Sequence, residues 1–353
     1  MQKPRLDWID AGRGFCGVGV VLYHVCDWFS EFSPDRFLLQ DVALALAPLR
    51  MPLFFLISGI LSQNIHKAPV EKRDARIVGL LFIYLFWSCI LFSRSFLITL
   101  ATGETAPTVG EFLTALAIPT IYWFLLCLPL FNVLIILCKN RIGPHPWPVL
   151  LVALAMALLS NVAQQRVEPM VTNTFGHVQV GPILFNFIWF ALGAYFGEIY
   201  KRIVQQANGM RLLMTGLLCA LVIWASWGSD AAGVRLIKSV LLLWFFANLL
   251  GMIPGRLAIM RIFKSVGKQT LPLYIFHILI IAGVGGLIRI MAPPLDAIHQ
   301  SSIVANGVIL GVTVFLTVIC VVAGQWLSNS RFSWLIVPRY WGRAPRAERR
   351  EAV

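Results

Sequence analysis

The sequence predicts an all-α polytopic membrane protein of about ten transmembrane helices, with both termini in the cytoplasm. Three observations carry this. Of 353 residues, 58% are hydrophobic and only 13% charged, with a mean hydropathy of +0.78, whereas soluble domains run near half apolar and a quarter charged. Apolar stretches long enough to cross a bilayer follow one another along the whole chain. The basic residues gather in alternate connections between them, as membrane orientation demands. The same composition excludes disorder, a collagen-like repeat and a disulfide scaffold.

The stretches fall near 11–30, 42–64, 77–100, 117–138, 147–165, 183–200, 212–229, 235–253, 270–291 and 302–327. Lys3 and Arg5 precede the first, as in a secretory leader. Arg13 interrupts it and no small-residue cleavage site follows, so it reads as a retained span. The second carries Arg50, Pro52 and the small pair Ser58-Gly59, which allows close helix approach. Lys67, Lys72, Arg73 and Arg76 precede the third. The fourth opens on Tyr122-Trp123-Phe124-Leu125. The ninth contains Pro272, Tyr274 and His277, and the proline is expected to break a turn and expose carbonyls inside the bundle. The segment 256–268 before it is basic, and Arg261, Lys264 and Lys268 fit an amphipathic helix at the interface.

With the amino terminus inside, 21 of the 29 Lys and Arg residues fall in cytoplasmic segments and six in outer ones. Arg13 and Arg50 lie within spans. The formal charge of +13 is therefore an orientation signal, and no nucleic-acid partner is expected. No internal or inverted repeat is visible, which weighs against a transporter. The chain reads as a single membrane domain over 1–353, with a basic cytoplasmic tail within 328–353. The outer loop near 166–182 is too short to fold alone. The seven cysteines lie in or at the ends of apolar spans without CxxC spacing, so they read as packing residues. No histidine–carboxylate spacing indicates a metal. His66, His145, His177 and His299 sit in loops or at the cytoplasmic face.

Ionisable groups inside spans are costly and mark function by default. The first span holds Asp10, Arg13, His24 and Asp27. Arg13 and His24 are 11 residues apart, about three turns and about 16 Å along the axis, so they share one stripe. Asp10 can pair with Arg13, and Asp27 can hold an imidazole N–H of His24. The competing structural readings are a snorkelling Arg13 and a packed polar His24. Arg50 is harder to explain as structure alone. A reaction at a hydroxyl needs a base near it and donors or positive charge for a developing oxyanion. His24 suits the first need and Arg13 or Arg50 the second. No GxSxG elbow is present, so a covalent serine enzyme lacks its signature. Arg73 and Arg76, three apart, share a helical face suited to phosphate; positive-inside topology explains them equally well. Trp123 offers an aromatic face to a sugar or an interfacial anchor. Tyr274 and His277 form a second polar pair, or core packing.

These residues also carry a family resemblance. The run Ile9-Asp10-x-x-Arg13-Gly14, the ten-residue gap from Arg13 to His24, and Arg50-Met51-Pro52-Leu53-Phe54-Phe55-Leu56-Ile57-Ser58-Gly59 resemble the membrane acyltransferase-3 family. Arg73-Asp74-Ala75-Arg76 resembles its basic RxxR element, and Trp123-Phe124-Leu125 its WFL segment. Gly267-x-x-Thr270-x-x-x-Tyr274-x-x-His277 resembles a late segment of the family in which serine is commoner at the threonine position. The resemblance spans nearly the whole chain, and the first 65 residues look most like the short, sugar-acetylase-like members. The outer loops are short and no esterase-like domain is appended. The resemblance implies an integral O-acyltransferase, in the first instance an O-acetyltransferase, of a bacterial inner membrane. Acetyl-CoA or another acyl-CoA would be the donor. A hydroxyl of a sugar, glycan or lipid-linked sugar would be the acceptor. It further implies His24, Arg13 and Asp27 as catalytic, and Arg50, Arg73, Arg76, Trp123, Tyr274 and His277 as substrate- or donor-binding. A glycan or polyol transporter and a non-catalytic relative are the alternatives.

Overall fold

The computed structural model describes residues 7–30, 37–102, 108–117, 121–170, 178–291 and 302–338. Side chains at 95, 98, 100–102 and 284–291 are outside the description. Lys3, Arg5, His177, His299 and the basic residues from Arg339 onward lie outside the described residues.

The described residues are helical, without strands. The helices are α1 (Asp7–Ser30), α2 (Leu38–Ala45), α3 (Ala47–Leu61), α4 (Val70–Thr102), α5 (Val109–Ala117), α6 (Trp123–Arg141) and α7 (Trp147–Val162). They continue with α8 (Val180–Gln205), α9 (Gly209–Ala225), α10 (Ala232–Met252), α11 (Ala258–Lys268), α12 (Thr270–Met291) and α13 (Ser302–Ser328). Every predicted apolar stretch has a helical counterpart. Six helices are long and apolar enough to cross a membrane alone, and up to eight spans result if each bent pair counts as one. The protein is therefore a multi-pass membrane protein. Two predicted stretches fall outside that tally. α9 is 17 residues long, and α1 is diluted by Asp7, Asp10, Arg13 and Asp27.

The two bent pairs shape the interior. α2 and α3 meet at 43°, and α11 and α12 at 79°. The second bend corrects the sequence-based expectation for Pro272. The helix breaks earlier, at Gln269, and Pro272 lies in the first turn of α12. First-turn N–H groups have no helical partner, so proline costs little there. α11 carries its cations outward, as an amphipathic helix should, and Lys264 Nζ pairs with Asp7 Oδ2 at 2.8 Å. Its other face buries Met260, Val266 and Gly267.

α1 is a poor helix by propensity, with Gly12, Gly14, Gly17 and Gly19 in two turns. Its neighbours explain the glycines. A β-carbon at Gly14 would strike the Phe263 carbonyl of α11, and one at Gly267 the Asp10 carbonyl of α1. These reciprocal glycines bring the two backbones into contact. Gly59 and Gly193 do the same for α3 and α8, against the Phe190 and Leu56 carbonyls. Without a hydrophobic driving force in lipid, such close van der Waals packing is what holds helices together. α1 thus becomes a central post, touching α3, α10, α11, α12 and α13.

Candidate functional site

Two contacts set α1 against α12. Arg13 donates from NH2 to Thr270 Oγ1 at 2.6 Å. Further along both helices, the His24 and His277 rings lie with centroids 5.3 Å apart. Both helices are met in the same chain order, so they run side by side in the same direction. The sequence signals in the first and ninth spans therefore form one site. Gly17 of α1 allows the close approach, since a β-carbon there would lie 2.8 Å from Leu273 Cδ2.

A narrow pocket opens between these contacts. Gly17 and Val20 of α1, Met51 and Phe54 of α3, Phe124 of α6, and Thr270, Leu273, Tyr274 and His277 of α12 line it. It lies on a seam. Val20, Phe54, Phe124 and Tyr274 belong to the larger apolar cluster, and Leu273 to a second one around the far half of α1 and α13. The walls are apolar and aromatic. The polar groups come from α12 alone, and Arg13 reaches it through Thr270.

His277 is fully buried. Its Nδ1 lies 2.7 Å from the Leu273 carbonyl. A carbonyl only accepts, so Nδ1 carries the proton and Nε2 presents a lone pair. That Nε2 is buried with no hydrogen-bond partner. His24 is half-buried, and its ring neighbours are Tyr23, at 5.2 Å, and His277. Asp27 stands one turn beyond and is exposed. Arg50 is 8% exposed, so this charge is inside the protein. It stacks 4.0 Å above the Tyr23 ring and donates to the Ala43 carbonyl of α2. It therefore holds the residue next to His24.

The remaining predicted residues lie around this centre. Tyr274 lines the pocket and its hydroxyl donates to the Ile121 carbonyl at 3.4 Å. Trp123 packs against Phe55 and Phe124 and is not a pocket residue. Its neighbours are: Phe124 lines this pocket, and Tyr122, just before α6, lines a wider one against α4, α5 and α12. The Tyr122 hydroxyl donates to the Ile275 carbonyl at 3.1 Å. Arg94 lines the wider space and donates to the Ala282 carbonyl at 2.6 Å. Arg73 and Arg76 sit half-buried at the start of α4. Arg76 NH1 caps the end of α3, on the Leu61 carbonyl at 2.7 Å and Ser62 Oγ at 3.0 Å. Lys139 similarly ties the Gln63 and Ala194 carbonyls.

Thr270, Met51, Tyr122 and Phe124 were not singled out as site residues by the sequence. All four lie inside the stretches that carry the family resemblance, and Thr270 also stood out as the odd residue in the late motif. Its hydroxyl accepts from Arg13 and lies 3.3 Å from the Gly267 carbonyl. Serine would keep that hydroxyl and valine would not. A hydrogen bond to a charged group is worth about 1.5–3 kcal/mol. We expect Thr270→Ser to retain activity and Thr270→Val to lose at least about tenfold. Transfer assays on both variants at matched membrane yield would check this, and an active Thr270→Val would deny the bond its role.

Residues 6–323 match the acyltransferase-3 family, described as an acyltransferase domain. That match covers both halves of the site. The chain belongs to the acyltransferase-3 family. It is also similar to the inner membrane protein YcfT of Escherichia coli (strain K12), at 25% identity over 302 residues, covering 78% of this chain and 80% of YcfT. No solved structure matches it. Members of an acyltransferase family move an acyl group from a donor to an acceptor.

Proposed function

We propose that this acyltransferase-3 protein is an inner-membrane O-acyltransferase that moves an acyl group, acetyl in the first instance, from cytoplasmic acyl-CoA to a sugar or glycan hydroxyl. The observation that carries it is the convergence of Arg13–Thr270 and His24–His277 on one largely apolar pocket. Ten spans with both termini cytoplasmic would place Arg13 in the inner half of the bilayer and His24 in the outer half. Arg73 and Arg76 then face the cytoplasm, where the donor's phosphates arrive. The thioester end enters the pocket and lies against Tyr274, with Arg13 and Arg50 supplying positive charge. His24 acts as general base on the acceptor hydroxyl, and Asp27 is the carboxylate nearest in sequence to orient it. The wider space lined by Tyr122 is the room available to the acceptor. The acceptor classes are small glycans and lipid-linked sugars.

The test is acyl-CoA binding to the detergent-solubilised protein. Wild type and His24→Ala are expected to bind acetyl-CoA in the micromolar range. Arg73→Ala/Arg76→Ala is expected to lose at least about tenfold, the size of one charge-assisted contact. Because Arg76 also caps α3, Arg73→Ala alone separates phosphate binding from folding. Absence of binding to any acyl-CoA would point instead to a glycan or polyol transporter.

A further inference from the structure

The site has two imidazoles where one base suffices. They differ in placement: His24 is half-buried and is not a pocket residue, whereas His277 is fully buried and lines the pocket. His277 is also fixed in its chemistry. Its Nδ1–H is held by the Leu273 carbonyl, which leaves Nε2 able only to accept a proton. That acceptor has no partner in the protein, although it is buried. An unsatisfied buried acceptor costs free energy unless a ligand or a passing proton uses it. The neighbouring ring that can supply a proton is His24, at 5.3 Å between centroids. Ring nitrogens lie roughly 1.1 Å from a ring centroid, so two that faced each other at this separation would stand about 3 Å apart, within hydrogen-bonding range.

We propose that His277 is the general acid of the reaction, receiving from His24 the proton taken from the acceptor and delivering it to the departing thiolate. This rests on the acyltransferase reading above. The acceptor O–H loses its proton to His24 as its oxygen bonds to the thioester carbon. The C–S bond breaks, and its electron pair stays on sulfur. His24 passes the proton to His277 Nε2. His277 then protonates the sulfur, releasing the free thiol and restoring both neutral imidazoles. No oxidant, metal or further reactant is needed. The division of labour follows the placement, since the donor's sulfur lies in the pocket that His277 lines. The imidazolium formed in transit is stabilised by the Leu273 carbonyl on its Nδ1–H.

The consequence is a leaving-group test. A general acid matters when the leaving group is a poor one and ceases to matter when it departs readily as an anion. Acetyl-CoA and its selenoester analogue share the whole nucleotide body, but the selenolate needs no proton to leave. Membranes carrying wild type, His277→Gln or His24→Ala would be supplied with each donor and with octyl glucoside as hydroxyl acceptor. His277→Gln is expected to lose at least tenfold with acetyl-CoA and to regain most of that loss with the selenoester. His24→Ala is expected to stay slow with both. Equal loss of His277→Gln with both donors would overturn the proposal and leave His277 a packing residue. Wild-type membranes that consume neither donor would overturn the acyltransferase reading itself, and this proposal with it. A wild type active on both donors with an unimpaired His277→Gln would sink only the role of His277. Acetyl-CoA binding by His277→Gln, measured alongside, shows that the variant is folded.

Discussion

Replacing His24 by alanine is expected to abolish acyl transfer while leaving membrane yield and acyl-CoA binding intact. A positioned base contributes about 10²–10⁴-fold, and no other side chain on α1 shares that position. The expected separation of activity from stability comes from the structure. His24 is half-buried, beside Tyr23 and His277, and the tight contacts of α1 lie elsewhere, at Gly14 against the α11 backbone and at Gly17 against the Leu273 side chain. Removing the ring therefore leaves the helix register to Arg13–Thr270 and to the glycine contacts. The measurement is transfer from labelled acetyl-CoA, with detergent size-exclusion profiles as the folding control. Full activity in His24→Ala would remove this residue from the mechanism. Loss of both activity and a monodisperse profile would make it a structural residue instead.

The second large effect is expected at a residue that lines no pocket. Gly267→Leu should prevent α11 from seating on α1. A single β-carbon there already overlaps the Asp10 carbonyl, and α11 answers at Gly14 with its own Phe263 carbonyl. Both obstacles are backbone, so no side chain can turn aside. Inserting extra atoms into a packed core costs about 1–3 kcal/mol where neighbours can shift, and here a helix axis must shift. Moving α11 displaces the bend at Gln269 and with it Thr270, so the Arg13 bond is lost too. The variant should lose its thermal transition or express poorly. Gly233→Leu is the matched control, because a β-carbon at Gly233 meets nothing within 4 Å. Equal thermal stability of the two variants would refute the account of the α1–α11 interface.

Both expectations depend on a site that was only partly legible in the sequence. Arg13 and His24 were legible because both lie on one helix, where periodicity fixes their shared stripe. Arg50 was legible because an arginine inside an apolar run has few explanations. Tyr274 and His277 were visible as a pair, but nothing in their spacing placed them beside His24. That juxtaposition links residues 253 positions apart in the chain. The role of Trp123 was drawn from its aromatic character, yet the structure turns its neighbours Tyr122 and Phe124 to the pockets. A helical stretch that is apolar all round has no sequence period to say which face looks inward.

The sequence by itself determined the class of this protein. Apolar stretches of bilayer length leave helices as the structure able to satisfy the backbone in lipid, and the charge pattern proposes an orientation for them. It also determined which residues are chemically unusual, because charge within an apolar span is costly wherever the span sits. Only the tertiary structure decided which of them meet. The reciprocal glycines that seat α11 on α1, the Arg13–Thr270 bond and the His24–His277 pair all arise from contacts between distant segments. Those contacts depend on helix-to-helix packing in three dimensions, and helical periodicity along one segment carries no information about its partner.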